Sequence, residues 1–200
     1  SAIVEPSNVA PHGKPKPRPP AAARPRHLSV TRIETLIRDP YAIYARYVLN
    51  LEPLRAIASV TDPARRGIIV HGAIGDFLKT YPLVLPENAE HELLRFGTIR
   101  FAPLRDDPAS FSFWWPRFQR IAAWFADQEI AVRPLLRRSL AEVSGAIDLD
   151  IAGNRFALTC RADRIDITQG NTARITDFKT GTVPSRKKVQ AGLSPQLTLQ

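Results

Sequence analysis

Methionine is absent from the chain and cysteine occurs once, at Cys160. A single thiol excludes an internal disulfide framework and any all-cysteine metal site built by this chain alone, and it suits a reducing cytoplasm. Long apolar runs are missing as well. None approaches the ~18–20 residues needed to cross a bilayer, and no basic, apolar, small-residue series marks a signal peptide, so membrane association is not expected. No Walker-type phosphate loop occurs, so the chain supplies no ATP hydrolysis itself. Acids are the scarce charge, 19 against 28 lysines and arginines, leaving a net charge of +9. A surface this basic attracts polyanions, nucleic acid foremost, although a basic housekeeping domain has the same composition. With no initiator methionine and Gln200 inside a helical-looking run, the expectation is a piece of a larger protein.

What is present is ordinary for a globular chain: 44% apolar and 24% charged residues in 200 positions, enough for one domain with a closed core. Residues 1–27 stand apart. They hold seven of the eighteen prolines and five basic residues (Lys14, Lys16, Arg18, Arg24, Arg26) against one acid, Glu5. Proline fixes φ and removes a donor, so this stretch reads as an extended basic linker. Residues 28–139 read as a helical part. Thr31 and Glu34 have capping-box spacing, and apolar residues recur from Ile33 to Tyr44, with a break expected at Asp39-Pro40. Further helices are predicted from about Pro63 to Lys79, Glu87 to Phe96 and Phe111 to Glu129. The aromatics of the last, among them Trp114, Trp115, Phe118 and Phe125, are assigned to core packing rather than base stacking.

After Arg138 the apolar period changes from helical to two. Strands are predicted over Leu140 to Ile151, Phe156 to Ile167 and Ala173 to Phe178, with turns at Gly153-Asn154 and Gln169-Gly170-Asn171. A basic cluster, Arg186-Lys187-Lys188, precedes a helix starting near Ser194. Residues 140–200 thus form a β-core and the start of a helix. The fold class is α+β: helices, an antiparallel three-strand meander, then a helix.

Two neighbouring strand segments carry chemistry, Arg161-Ala162-Asp163-Arg164-Ile165-Asp166 and Thr176-Asp177-Phe178-Lys179-Thr180-Gly181. Adjacent strands lie about 4.8 Å apart, so carboxylates at their neighbouring ends can share one cation. Asp177 and Lys179, two residues apart, project from one face of a strand. Carboxylates that hold magnesium, beside a lysine that holds water or neutralises a developing phosphorane charge, suit phosphodiester hydrolysis. An isolated Asp-x-Lys pair also occurs as an ordinary surface salt link. Arg164 and Asp166 are read as structural pairs.

In order and spacing, five pieces resemble the PD-(D/E)xK nuclease superfamily, specifically the C-terminal nuclease domain of AddB-type subunits of bacterial double-strand-break-repair helicase–nucleases. They are Ser29 to Tyr41, Arg66 to His71, Ala162 to Asp166, Ile175 to Gly181 and Pro195-Gln196-Leu197, together spanning about Leu28 to Gln200. The resemblance implies a restriction-endonuclease-like core that acts on single- or double-stranded DNA with Mg2+ or Mn2+, beside an AddA-like helicase subunit in the bacterial cytoplasm. It implies that His71, Asp163, Asp177 and the carbonyl of Phe178 hold the metal, that Lys179 acts on water or transition state, and that Gln196 steadies the lysine or the DNA backbone. Arg186, Lys187 and Lys188 are expected to track phosphates. Three positions depart from the family pattern. Asp39 stands where many members have the first of four iron–sulfur cysteines, and Cys160 lies where glycine is usual, so no cluster is expected. Gln200 stands where tyrosine is common. The rival reading is an inactive nuclease-fold module that binds DNA or a helicase partner.

Overall fold

The computed structural model describes residues 16–52, 54 and 63–199. Of the basic linker, only the part from Lys16 onward is therefore described. It contains a 3-10 turn at Ala21–Ala23 and leads into a short strand, β1 (His27–Ser29). Two helices follow, α1 (Val30–Arg38) and α2 (Pro40–Tyr47). Asp39 separates them as expected: it accepts a hydrogen bond from the Ala42 amide at 3.3 Å, and Pro40 fills the first helical position, where no donor is needed. The capping box does not form. Ser29, not Thr31, is the N-cap of α1, and Glu34 instead accepts a hydrogen bond from the Ser194 hydroxyl at 3.3 Å.

Three longer helices build the core: α3 (Pro63–Thr80), α4 (Ala89–Phe101) and α5 (Pro108–Val132). The last two run further than the apolar periodicity suggests. Asp107 caps α5 through the Ser110 amide, with Pro108 next to it, so the true start lies three residues before Phe111. Phe77, Leu78, Leu93, Phe101, Phe118 and Phe125 are buried between these helices, which confirms packing as the role of most α5 aromatics. α4 approaches α5 closely because Gly97 has no side chain: a Cβ there would lie 2.0 Å from the Phe118 ring.

The sheet has four strands, not three. β2 (Leu136–Ile151) and β3 (Asn154–Thr168) form a long hairpin, and β4 (Ala173–Thr176) pairs with β3 antiparallel. β1 joins the same edge of β3 in parallel, opposite Ala157 to Thr159. The hairpin turn falls at Ala152-Gly153, one residue before the expected site. Both have positive φ, 50° and 75°, and the Gly153 amide donates to Asp150 at 2.7 Å. That backbone matches the twist of the strands, and Asn154 is left free to begin β3. Two short helices close the described chain, α6 (Arg186–Gln190) and α7 (Gln196–Leu199); Gln200 lies outside the described residues. Among the described residues no helix is long and apolar enough to cross a membrane.

Candidate functional site

β4 ends at Thr176, so Asp177, Phe178 and Lys179 lie just past the strand rather than within it. The expected common direction of Asp177 and Lys179 survives this. The lysine Nζ is 2.7 Å from Asp177 Oδ2. It also donates to Gln196 Oε1 at 2.8 Å, and the Gln196 amide donates to Asp177 Oδ1 at 2.5 Å. A ring of three side chains thus links the end of β4 to the start of α7. Asp177 is nearly buried while Lys179 keeps 36% of its side chain exposed, so the cation faces outward from a sheltered acid.

Phe178 anchors the segment. Its ring meets Phe125 of α5 and the edge of His71, while its amide donates to Asp163 Oδ2 at 2.7 Å. His71 Nδ1 approaches the same oxygen at 3.4 Å. Burial alone would raise the Asp163 carboxyl, but the His71 contact, the Phe178 N–H and the Lys179 charge outweigh it and hold its pKa below the ordinary carboxylate value. Asp163, Asp177, Lys179, Gln196, His71 and Phe178 are therefore brought together from α3, β3, α7 and the segment after β4. Arg186, Lys187 and Lys188 are not part of this group. They lie exposed on α6, whose N-cap Ser185 accepts from the Lys188 amide.

Spacing along α3 explains how a helix reaches the sheet here. Gly67, His71 and Gly75 recur every four residues and share one face. Gly67 abuts the Thr180 hydroxyl, His71 meets Asp163, and a Cβ on Gly75 would lie 3.3 Å from the Glu142 side chain. Glu142 is a residue that sequence patterning missed. It interrupts the β2–β3 ladder at the position facing Asp163, adopts a positive φ of 58°, and pairs with Arg161. Arg66 was missed too. It donates to the Thr180 carbonyl at 2.9 Å and stacks over Trp114, tying the far end of the Asp177–Thr180 segment to α3 and α5. In sequence it is one arginine of a pair, with no signal separating it from surface charge.

Arg164 and Asp166 have the structural role read for them. Both are buried; Arg164 pairs with Asp166 at 2.7 Å and with Glu129 of α5, while Ser139 donates to Asp166. Asp39 caps α2, and Cys160 is a free thiol on β3.

The donors suit a hard divalent cation: an imidazole nitrogen and two carboxylates, with Asp163 Oδ1 lacking a hydrogen-bond donor among the described residues. Among those residues, however, no group of three His, Cys, Asp or Glu is arranged to hold a metal ion. Both oxygens of Asp177 are engaged by Lys179 and Gln196 instead.

Uncharacterized proteins of Rickettsia bellii, Rickettsia conorii and Rickettsia felis are 31%, 30% and 32% identical to the chain over 176, 184 and 184 residues. Each alignment covers 88% of this chain but only 21–22% of the relative, so the chain spans about a fifth of their length. A family profile described as PD-(D/E)XK nuclease superfamily matches residues 27–199, from β1 to the end of α7, and the chain belongs to that superfamily.

Proposed function

We propose that the chain is a metal-dependent deoxyribonuclease domain that hydrolyses phosphodiester bonds at the Asp163–Asp177–Lys179 group. The observation that carries this reading is Lys179, bonded to both Asp177 and Gln196 beside the Asp163–His71 contact. In the reaction a water oxygen forms a new bond to phosphorus as one ester P–O bond breaks, and negative charge grows on the phosphoryl oxygens. Lys179 is the cation aimed at that charge or at the attacking water. Gln196 fixes the lysine, and the Phe178 amide fixes Asp163. His71, Asp163, Asp177 and the Phe178 carbonyl would hold Mg2+ or Mn2+, with Asp177 exchanging its present partners. Bound there, the metal would lower the pKa of water and polarise the phosphoryl oxygen. Exposed Arg186, Lys187 and Lys188 would follow the DNA backbone without reading bases.

The finer assignment is to the nuclease domain of an AddB-type subunit that acts with an AddA-like helicase on broken DNA in the bacterial cytoplasm. It is supported by the order of the five sequence pieces between Leu28 and Gln200. The great length of the Rickettsia relatives leaves room for such a context. The test is incubation of single- and double-stranded DNA with the chain in magnesium or manganese, against an EDTA control. Metal-dependent shortening is expected; intact DNA bound by the protein would favour the inactive module.

A further inference from the structure

The face of the sheet that carries Asp163 continues into a cavity of about 590 Å³. Side chains alternate along β3, so Thr159 and Arg161 share a face with Asp163, spaced two residues or ~7 Å apart. Across the ladder Ser144 pairs with Arg161 and Ala146 with Thr159, which extends the same floor onto β2. Ser29 and Thr31 at the start of α1 line the cavity, and so does Gln196, the amide bonded to both Lys179 and Asp177. Cavity and proposed catalytic group therefore share a residue.

The lining suits a sugar–phosphate unit, with apolar surface for the sugar and polar groups for the phosphate. Val30, Gly145 and Ala146 stand beside one guanidinium, four hydroxyls, an amide and the Cys160 thiol, with no carboxylate and no aromatic ring. Arg161 pairs with Glu142 and still has 63% of its side chain exposed. The hydroxyls of Ser29 and Thr31 bond each other at 2.9 Å, and no side chain caps the first amides of α1. Without an aromatic, the cavity offers no stacking platform for a base.

We propose that this cavity is the subsite for the sugar–phosphate unit next to the scissile phosphodiester on the cleaved strand. The proposal rests on the nuclease reading and extends it to substrate positioning. Because recognition would run through the backbone, cleavage at this position would be tolerant of sequence.

The test fills the cavity from its floor. Ala146→Trp and, independently, Ser144→Trp occupy it from two exposed positions, so a folding defect in one leaves the other. Ile147→Trp, on the opposite face of β2, is the control. Binding of a fluorescein-labelled single-stranded oligonucleotide is measured by anisotropy in EDTA. Single-turnover hydrolysis of that oligonucleotide is compared with hydrolysis of bis(p-nitrophenyl) phosphate, which reaches only the catalytic group. Expected is a loss of oligonucleotide affinity of about tenfold, equivalent to 1.4 kcal/mol. Its cleavage falls with it, the small diester is hydrolysed as before, and Ile147→Trp changes nothing. Unchanged oligonucleotide binding, or equal loss on both substrates without a binding defect, overturns the proposal. If the unaltered chain cleaves neither substrate, the nuclease reading fails, and the binding comparison still decides the cavity.

Discussion

Replacing Arg164 with methionine removes the cation from a cluster in which Arg164, Glu129 and Asp166 are 5%, 2% and 3% exposed. Arg164 bonds both acids; among the described residues, without it Asp166 keeps only the Ser139 hydroxyl and Glu129 keeps Arg133. Burial alone would lower the Arg164 pKa, yet the two acids reverse that and raise it, which marks how strongly they hold its charge. Methionine fills similar volume, so the loss is electrostatic. Breaking one partner out of a buried ion pair costs about 3–5 kcal/mol because a charge is left uncompensated. Native domains have a total of about 5–15 kcal/mol, so the variant should retain its fold with little margin. With a urea slope of about 1–3 kcal/mol per molar, the unfolding midpoint should fall by roughly 2 M. Adding Asp166→Asn should cost less than its effect in the unaltered chain, since it removes the orphaned charge. A loss below about 1 kcal/mol for Arg164→Met, or strict additivity in the double variant, would refute the reasoning.

Gly97→Ala should destabilise the chain although alanine favours helix by about 1 kcal/mol, because overpacking against Phe118 costs about 1–3 kcal/mol; thermal melting checks it, and Phe118→Leu should restore part of the loss. Asp163 titrates below its ordinary value of 3.8 in the folded chain, so its contribution is present above that pH and lost as pH falls through the folded value. In metal-free buffer the stability gap between the unaltered chain and Asp163→Asn should therefore narrow below pH 3.8; a gap constant with pH contradicts it. Neutralising Arg186, Lys187 and Lys188 together should lower the log–log salt slope of DNA binding by roughly 2–3 and leave turnover of saturating DNA intact. An unchanged slope would remove α6 from the interface.

Much of this arrangement could be read from residue order because its signals are local. Asp39-Pro40 divides two helices through backbone chemistry confined to neighbouring positions, and the β2–β3 hairpin announces itself through alternation and Gly153. β1 gave no such signal: three residues after a proline-rich stretch pair with a strand some 130 positions later. The helix starts were displaced because Asp107 caps α5 through its side chain and Ser29 takes the N-cap position of α1 without a side-chain bond, and neither lies on an apolar face. In the candidate site, Asp163, Asp177, Lys179 and Gln196 are named by motif order, and their meeting is a matter of tertiary packing. Glu142 was invisible because its place depends on the register opposite Asp163 and on the closeness that Gly75 allows, neither of which a period-two pattern encodes.

The most direct measurement is Lys179→Ala in paired binding and single-turnover cleavage of one labelled DNA with Mg2+ or Mn2+. A cation placed against transition-state charge typically contributes ~10²–10³ in rate. The account predicts a loss of cleavage of at least that order while DNA affinity stays close to that of the unaltered chain. If Lys179→Ala cuts DNA normally, the bonded group of Asp177, Lys179 and Gln196 is an ordinary structural link and the proposed catalytic centre is wrong.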